Sequence, residues 1–193
     1  MNKIANNKEE QMIGKKNVVF GFIYLVFTAA LGPYMINAHF ADVGAAAAEK
    51  QTALSRLQDL RTNNYEEMLE PLEPGQIARA NTDGILALNK LGNAEAPVDA
   101  IKGGPHAHGN LEALLNIAVG IALAFIAVAP LFKQVISWVF LLGALIHSGG
   151  LYLDTLFGIG FLVGPVGPVL ILLGLLLAGV AAWMGWQSEP VRD

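Results

Sequence analysis

The chain has no cysteine in 193 residues. That excludes disulfides, thiolate metal sites, iron–sulfur clusters and covalently attached c-type haem. Charge is scarce as well, at 15% of residues, with a net charge of −4 and no basic block. Nucleic acid is therefore not an expected partner. No phosphate-binding loop, dinucleotide-binding glycine pattern or serine elbow occurs, so the motifs of the common soluble enzymes are missing. Histidine is rare, with four in the chain.

Apolar sequence is what the chain has in excess. Hydrophobic residues make up 54% of it, and mean hydropathy is +0.48. Its 21 glycines fall largely inside apolar runs. These features predict an all-α integral membrane protein. A span takes roughly 20 apolar residues. Four segments qualify: 18–38, 111–132, 135–153 and 156–186. We expect a single membrane domain over 1–193, a four-helix bundle with a long outer loop at 39–109. The loop should be partly helical. Ala53, Leu54, Leu57 and Leu60 recur at helical spacing within 45–61, and a second short helix is expected over 82–90. Pro71, Pro74 and Gly75 should break the chain between them.

Lysine placement sets the expected orientation. Lys3, Lys8, Lys15 and Lys16 precede the first span, Lys133 lies between the second and third, and Arg192 follows the fourth. All fall on one side of a four-span protein. Both termini are therefore expected in the cytoplasm, with the chain in a bacterial inner membrane and lipid as its surroundings. Tight turns are expected at 129–134 and at Asp154-Thr155. Gly164, Pro165, Gly167 and Pro168 should kink the fourth span. Gly160 and Gly164 form a small-xxx-small pair suited to close helix contact.

The polar groups gather in the outer half. His108, Glu112 and Asn116 lie at i, i+4 and i+8, one stripe of the second helix. His106 and Asn110 form another pair, about 200° round from the first. His147 should sit ~12 Å below the Asp154-Thr155 turn, at 1.5 Å per residue. His39 is expected at the outer end of the first helix, and Tyr152 near the outer end of the third. Histidine is a frequent ligand of metals and haem iron. Polar groups at membrane depth are functional candidates. The residues alone leave three readings open: haem b held by one or two histidines, a copper, zinc or non-haem iron site using histidines and Glu112, or a cofactor-free assembly subunit. Under these readings His108, His147, Glu112, His106 and, last, His39 are the candidate ligands.

The run Ala107-His108, Leu115-Asn116, Pro130, Lys133 and Gly150-Leu151-Tyr152-Leu153 resembles the styrene oxide isomerases, over roughly residues 105–155. The His-Ala-His-x-Asn opening is also similar to small membrane proteins related to haem–copper oxidase subunit I. The isomerase resemblance implies a trimeric four-helix membrane protein with haem b near the subunit contacts. It implies His108 as axial ligand and ferric iron as a Lewis acid that opens small hydrophobic epoxides to aldehydes. It also implies substrate-orienting roles for Tyr152 and Asn116. The chain departs from that pattern in three ways. The position of the family's acidic residue falls close to Ala144, His147 is an additional group, and the outer loop is longer. A second axial histidine would instead fit a non-catalytic haem or metal subunit of a membrane redox complex, with partner subunits.

Overall fold

The computed structural model describes residues 12–160 and 164–191. The expected contributions of Lys3, Lys8 and Arg192 lie outside the described residues. The chain is all-α apart from one small hairpin. Its elements are α1 (Lys15–Ala29), α2 (Leu31–Thr62), β1 (Glu66–Glu67), β2 (Glu70–Pro71), α3 (Pro74–Ile101), α4 (Ala107–Leu123), α5 (Pro130–Ile146), α6 (Ser148–Phe157) and α7 (Val166–Gly185). An irregular turn, Lys102–His106, precedes α4. Among the described residues, three helical stretches are long and apolar enough to cross a membrane: Lys15–Thr62, Pro130–Phe157 and Val166–Gly185.

Where a single domain was expected, the chain divides into two compact units. One unit is Gly32–Lys102 and the other combines Met1–Leu31 with Gly103–Asp193. The first is a helical hairpin rather than a loop with short helices. No helix ends at Ala38. Pro33 sits in the first turn of α2, where a missing N–H costs nothing, and an alanine-rich stretch carries the helix on to Thr62. β1 and β2 pair antiparallel with Glu67 opposite Glu70. α3 then opens with a capping box in which the Glu73 and Gln76 side chains each take the other's backbone N–H.

The second unit holds α1, α4, α5, α6 and α7. α1 packs antiparallel on α4 at very close range. A Cβ added to Gly120 would stand 2.6 Å from the Gly14 carbonyl oxygen, and one on Gly21 2.6 Å from that of Ala113. Small residues permit such contact in membrane helices. α5 and α7 pack around Ile136, Phe140, Ile171 and Ala181, which form a core with Val119, Leu123 and Ile126. The outer surface is apolar, with Phe22, Val26, Trp138, Leu172, Leu176 and Trp183 all exposed. An apolar surface of this extent suits lipid rather than water.

Several expected boundaries move. The second span ends at Leu123, not 132, because residues 124–127 pair with the segment after α7. The Ala127 N–H donates to the Gly185 carbonyl at 2.7 Å and the Gln187 N–H to that of Phe125 at 2.8 Å. Pro130 opens α5 at its first turn. No turn forms at Asp154-Thr155. The helix runs on to Phe157, and Gly158 ends it with φ 68°, a left-handed cap that glycine adopts without strain. Pro165 and Pro168 do not kink a helix but begin α7. Of the Gly160 and Gly164 pair, Gly160 faces only the Asp154 side chain and Gly164 faces nothing within 4 Å among the described residues.

Candidate metal or haem site

Glu112 is the centre of the site. It lies one turn into α4 from His108 and is buried. A buried carboxylate needs donors, and two converge on it. The His147 Nδ1–H donates to Oε1 at 2.5 Å. The Ser148 hydroxyl donates to Oε2 at 2.5 Å. The Tyr24 hydroxyl, from α1, lies 2.8 Å from the Ser148 oxygen and donates to it. Three helices thus hold one carboxylate.

His147 reaches Glu112 because the helix breaks there. Its φ of −78° and ψ of −81° separate α5 from α6. At this point α7 comes closest: a Cβ added to Gly167 would stand 2.5 Å from the His147 backbone nitrogen. With Nδ1–H committed to Glu112, His147 keeps Nε2 as its free acceptor. A carboxylate that fixes a histidine through its other ring nitrogen is a familiar support of metal-ligating imidazoles. The His108 ring lies 4.7 Å from the His147 ring, tilted by 54°. His108 is exposed, Glu112 buried and His147 half-buried. One ligand atom from each of the three lies within 4.8 Å of the others.

The remaining candidates separate from this group. Asn116 is buried deeper along α4. Its amide N–H groups meet the carbonyls of Glu112 at 3.0 Å and Phe140 at 3.4 Å. Its oxygen accepts from the Asn17 amide at 2.9 Å. Ser137 donates to the Asn17 oxygen, and the Asn17 amide also donates to the Ser137 carbonyl at 3.0 Å. Asn116 is therefore a structural clasp between α1, α4 and α5, with both N–H groups already used. His106 stands apart: its Nδ1–H donates to the Thr28 carbonyl at 2.9 Å, beside Asn110, whose side-chain oxygen accepts from the Thr28 hydroxyl at 2.7 Å. His39 lies inside α2, not at a helix end, with its ring 6.0 Å from Tyr34. It belongs to the Gly32–Lys102 unit. Tyr152 lines a cleft of about 250 Å³ with Tyr24, Phe27, Leu145, Gly149 and Leu153.

The sequence stripe found His108 and Glu112 together, but it missed Ser148, Tyr24 and Asn17. The signal was present for Ser148, a neighbour of His147. Tyr24 and Asn17 lie on an apolar helix in which only pairing with α4 reveals their role. Against known proteins, the chain matches no family model, no curated protein and no solved structure.

Proposed function

We propose that the chain is a four-span protein of the bacterial inner membrane that binds haem b through His108 and rearranges small hydrophobic epoxides. Support for a fourth span is α4, about 25 Å long at 1.5 Å per residue and packed along α1. Lys16 donates to the Gln134 side chain, which brings the start of α1 and the start of α5 to one end. That agrees with cytoplasmic termini.

The observation that carries the haem reading is the pairing of an exposed His108 with a His147 held by Glu112. The donor set fits iron approached from the exposed side: a neutral imidazole, with no thiolate. Ligation by His108 alone would suit catalysis, whereas ligation by His108 and His147 together would suit a haem subunit of a redox complex. Ferric haem bound there would supply a Lewis acid for the epoxide oxygen. His108 would hold it. Glu112, itself held by Ser148, would fix the His147 ring beside His108. Tyr152 and Tyr24 line an apolar cleft of a size that suits a small hydrophobic molecule. Exposure of His108 also suits completion of the site by a second copy, as in a trimer.

Absorption spectroscopy of the purified protein tests this. A Soret band lost in His108→Ala, with styrene oxide converted to phenylacetaldehyde by the wild type, is the expected result. A folded, colourless wild type rejects it. A second reading rests on the three-residue cluster itself: a copper, zinc or non-haem iron ion held by His108, Glu112 and His147. Elemental analysis showing about one such ion per chain without haem would select it. Neither metal nor haem would leave the assembly-subunit reading.

A further inference from the structure

At the start of α1 lies a cavity of about 480 Å³, well away in sequence from the histidine site. Met12, Lys15, Lys16, Val19, Phe20 and Gln134 line it. Among the described residues, none that lines it carries a negative charge. Lys15 is exposed. Lys16 is half-buried, its ammonium fixed by Gln134 at 2.5 Å and by the Trp138 ring at 4.4 Å. Val19 and Phe20 begin the apolar stretch of α1, so one wall of the cavity is hydrocarbon.

A cationic mouth, a hydrocarbon wall and a tryptophan at the junction describe the boundary between headgroups and acyl chains. We propose that this cavity binds one anionic phospholipid, its phosphate between Lys15 and Lys16 and an acyl chain along Val19 and Phe20. The proposal rests on the membrane reading above. A soluble phosphate would use the lysines and leave the apolar wall idle. A zwitterionic lipid would bring its own cation against Lys15. The combination selects a lipid with net negative charge. Lys16 is pre-positioned for it, since Gln134 and Trp138 have already restricted its side chain.

Native mass spectrometry of the full-length, delipidated protein in detergent tests this with three probes: dioleoylphosphatidylglycerol, dioleoylphosphatidylcholine and inorganic phosphate. The phosphatidylglycerol adduct should be retained at least tenfold better than phosphatidylcholine. The double variant Lys15→Gln, Lys16→Gln should lose roughly tenfold or more of that binding, and Val19→Asn should weaken it without abolishing it. Equal retention of both lipids, or an unchanged double variant, overturns the site. Phosphate competing at the lipid's own affinity overturns the lipid as occupant. A protein that stays monodisperse in buffer without detergent fails the membrane reading instead, which separates the two failures.

Discussion

The two antiparallel seams of the larger unit are built on opposite plans. Between α1 and α4 the contact is polar and backbone-close: Asn17 meets Asn116, Thr28 meets Asn110, and glycines face carbonyl oxygens. Between α5 and α7 the contact is apolar, with Gly174 against the Phe140 ring and Gly143 against Ile171. In lipid, apolar packing gains no hydrophobic advantage over lipid contact, whereas hydrogen bonds and close small-residue contact hold helices in a fixed register. The seam that carries His106, His108 and Glu112 is the one with directional bonds. The seam without them shapes the site only where Gly167 meets His147.

Substitutions on the two seams should therefore differ in cost. The largest effect is expected from Gly120→Leu. Its first added atom would meet the Gly14 backbone, which cannot rotate away, so the loss should exceed the about 1–3 kcal/mol of ordinary overpacking. Thermal unfolding in detergent should show no cooperative transition for the variant. Gly174→Ala on the other seam meets the Phe140 ring at 3.0 Å, a side chain that can shift, and should stay folded with a loss under about 1.5 kcal/mol. Equal losses would erase the distinction between the seams.

Next in size is Asn17→Leu, which strands the Ser137 hydroxyl and the Asn116 oxygen. It should cost about 1–3 kcal/mol in the same assay. Asn17→Leu with Asn116→Leu and Ser137→Ala should recover part of that loss. No recovery would mean that the amides act independently.

Glu112→Gln is smaller in stability and larger in function. It keeps volume, but only one amide oxygen remains to accept from His147 and Ser148. In the metal-ion reading, affinity for the ion should fall by roughly 10- to 100-fold or more, that being the loss when even an outer-shell partner is removed. The histidine ring ¹⁵N shifts of His147 should lose the Nδ1–H signature even in protein free of any cofactor. Unaltered shifts would show that Glu112 does not set the tautomer. His106→Ala should change least. Its ring serves one carbonyl hydrogen bond, so a loss of about 1 kcal/mol with unaltered cofactor content is expected. A loss of cofactor there would return His106 to the site.

Part of this architecture was legible in the sequence, for local reasons. Apolar run length marked three stretches long and apolar enough to cross a membrane, while the fourth expected span, 111–132, is the shorter helix Ala107–Leu123. Period-3.6 arithmetic put His108 and Glu112 on one face while sending His106 elsewhere. The turn positions were not legible. Pro165 and Pro168 suit either a kink or a helix start, and only the cap at Gly158 decides between them. The helical hairpin at 32–102 was under-read because its helices expose residues such as Ile85, Leu86 and Leu88 on several faces, which blurs the periodic signal. The partners of Glu112 were hidden for a different reason. Tyr24 acts through Ser148, 124 positions away in sequence, and no single-helix pattern encodes a neighbour on another helix. Asn116 shares the stripe of His108, yet a stripe cannot tell a substrate contact from a helix clasp.

The glycine at 167 gives the histidine site a place in time. His147 takes its bent backbone against a residue that the ribosome adds twenty positions later. Until α7 packs there, the backbone contact beside that bend is missing. The carboxylate and hydroxyl partners are made first, and α7 then packs against the bend beside them. Any ligand held by His108, Glu112 and His147 would therefore meet this fixed geometry only once α7 is in place.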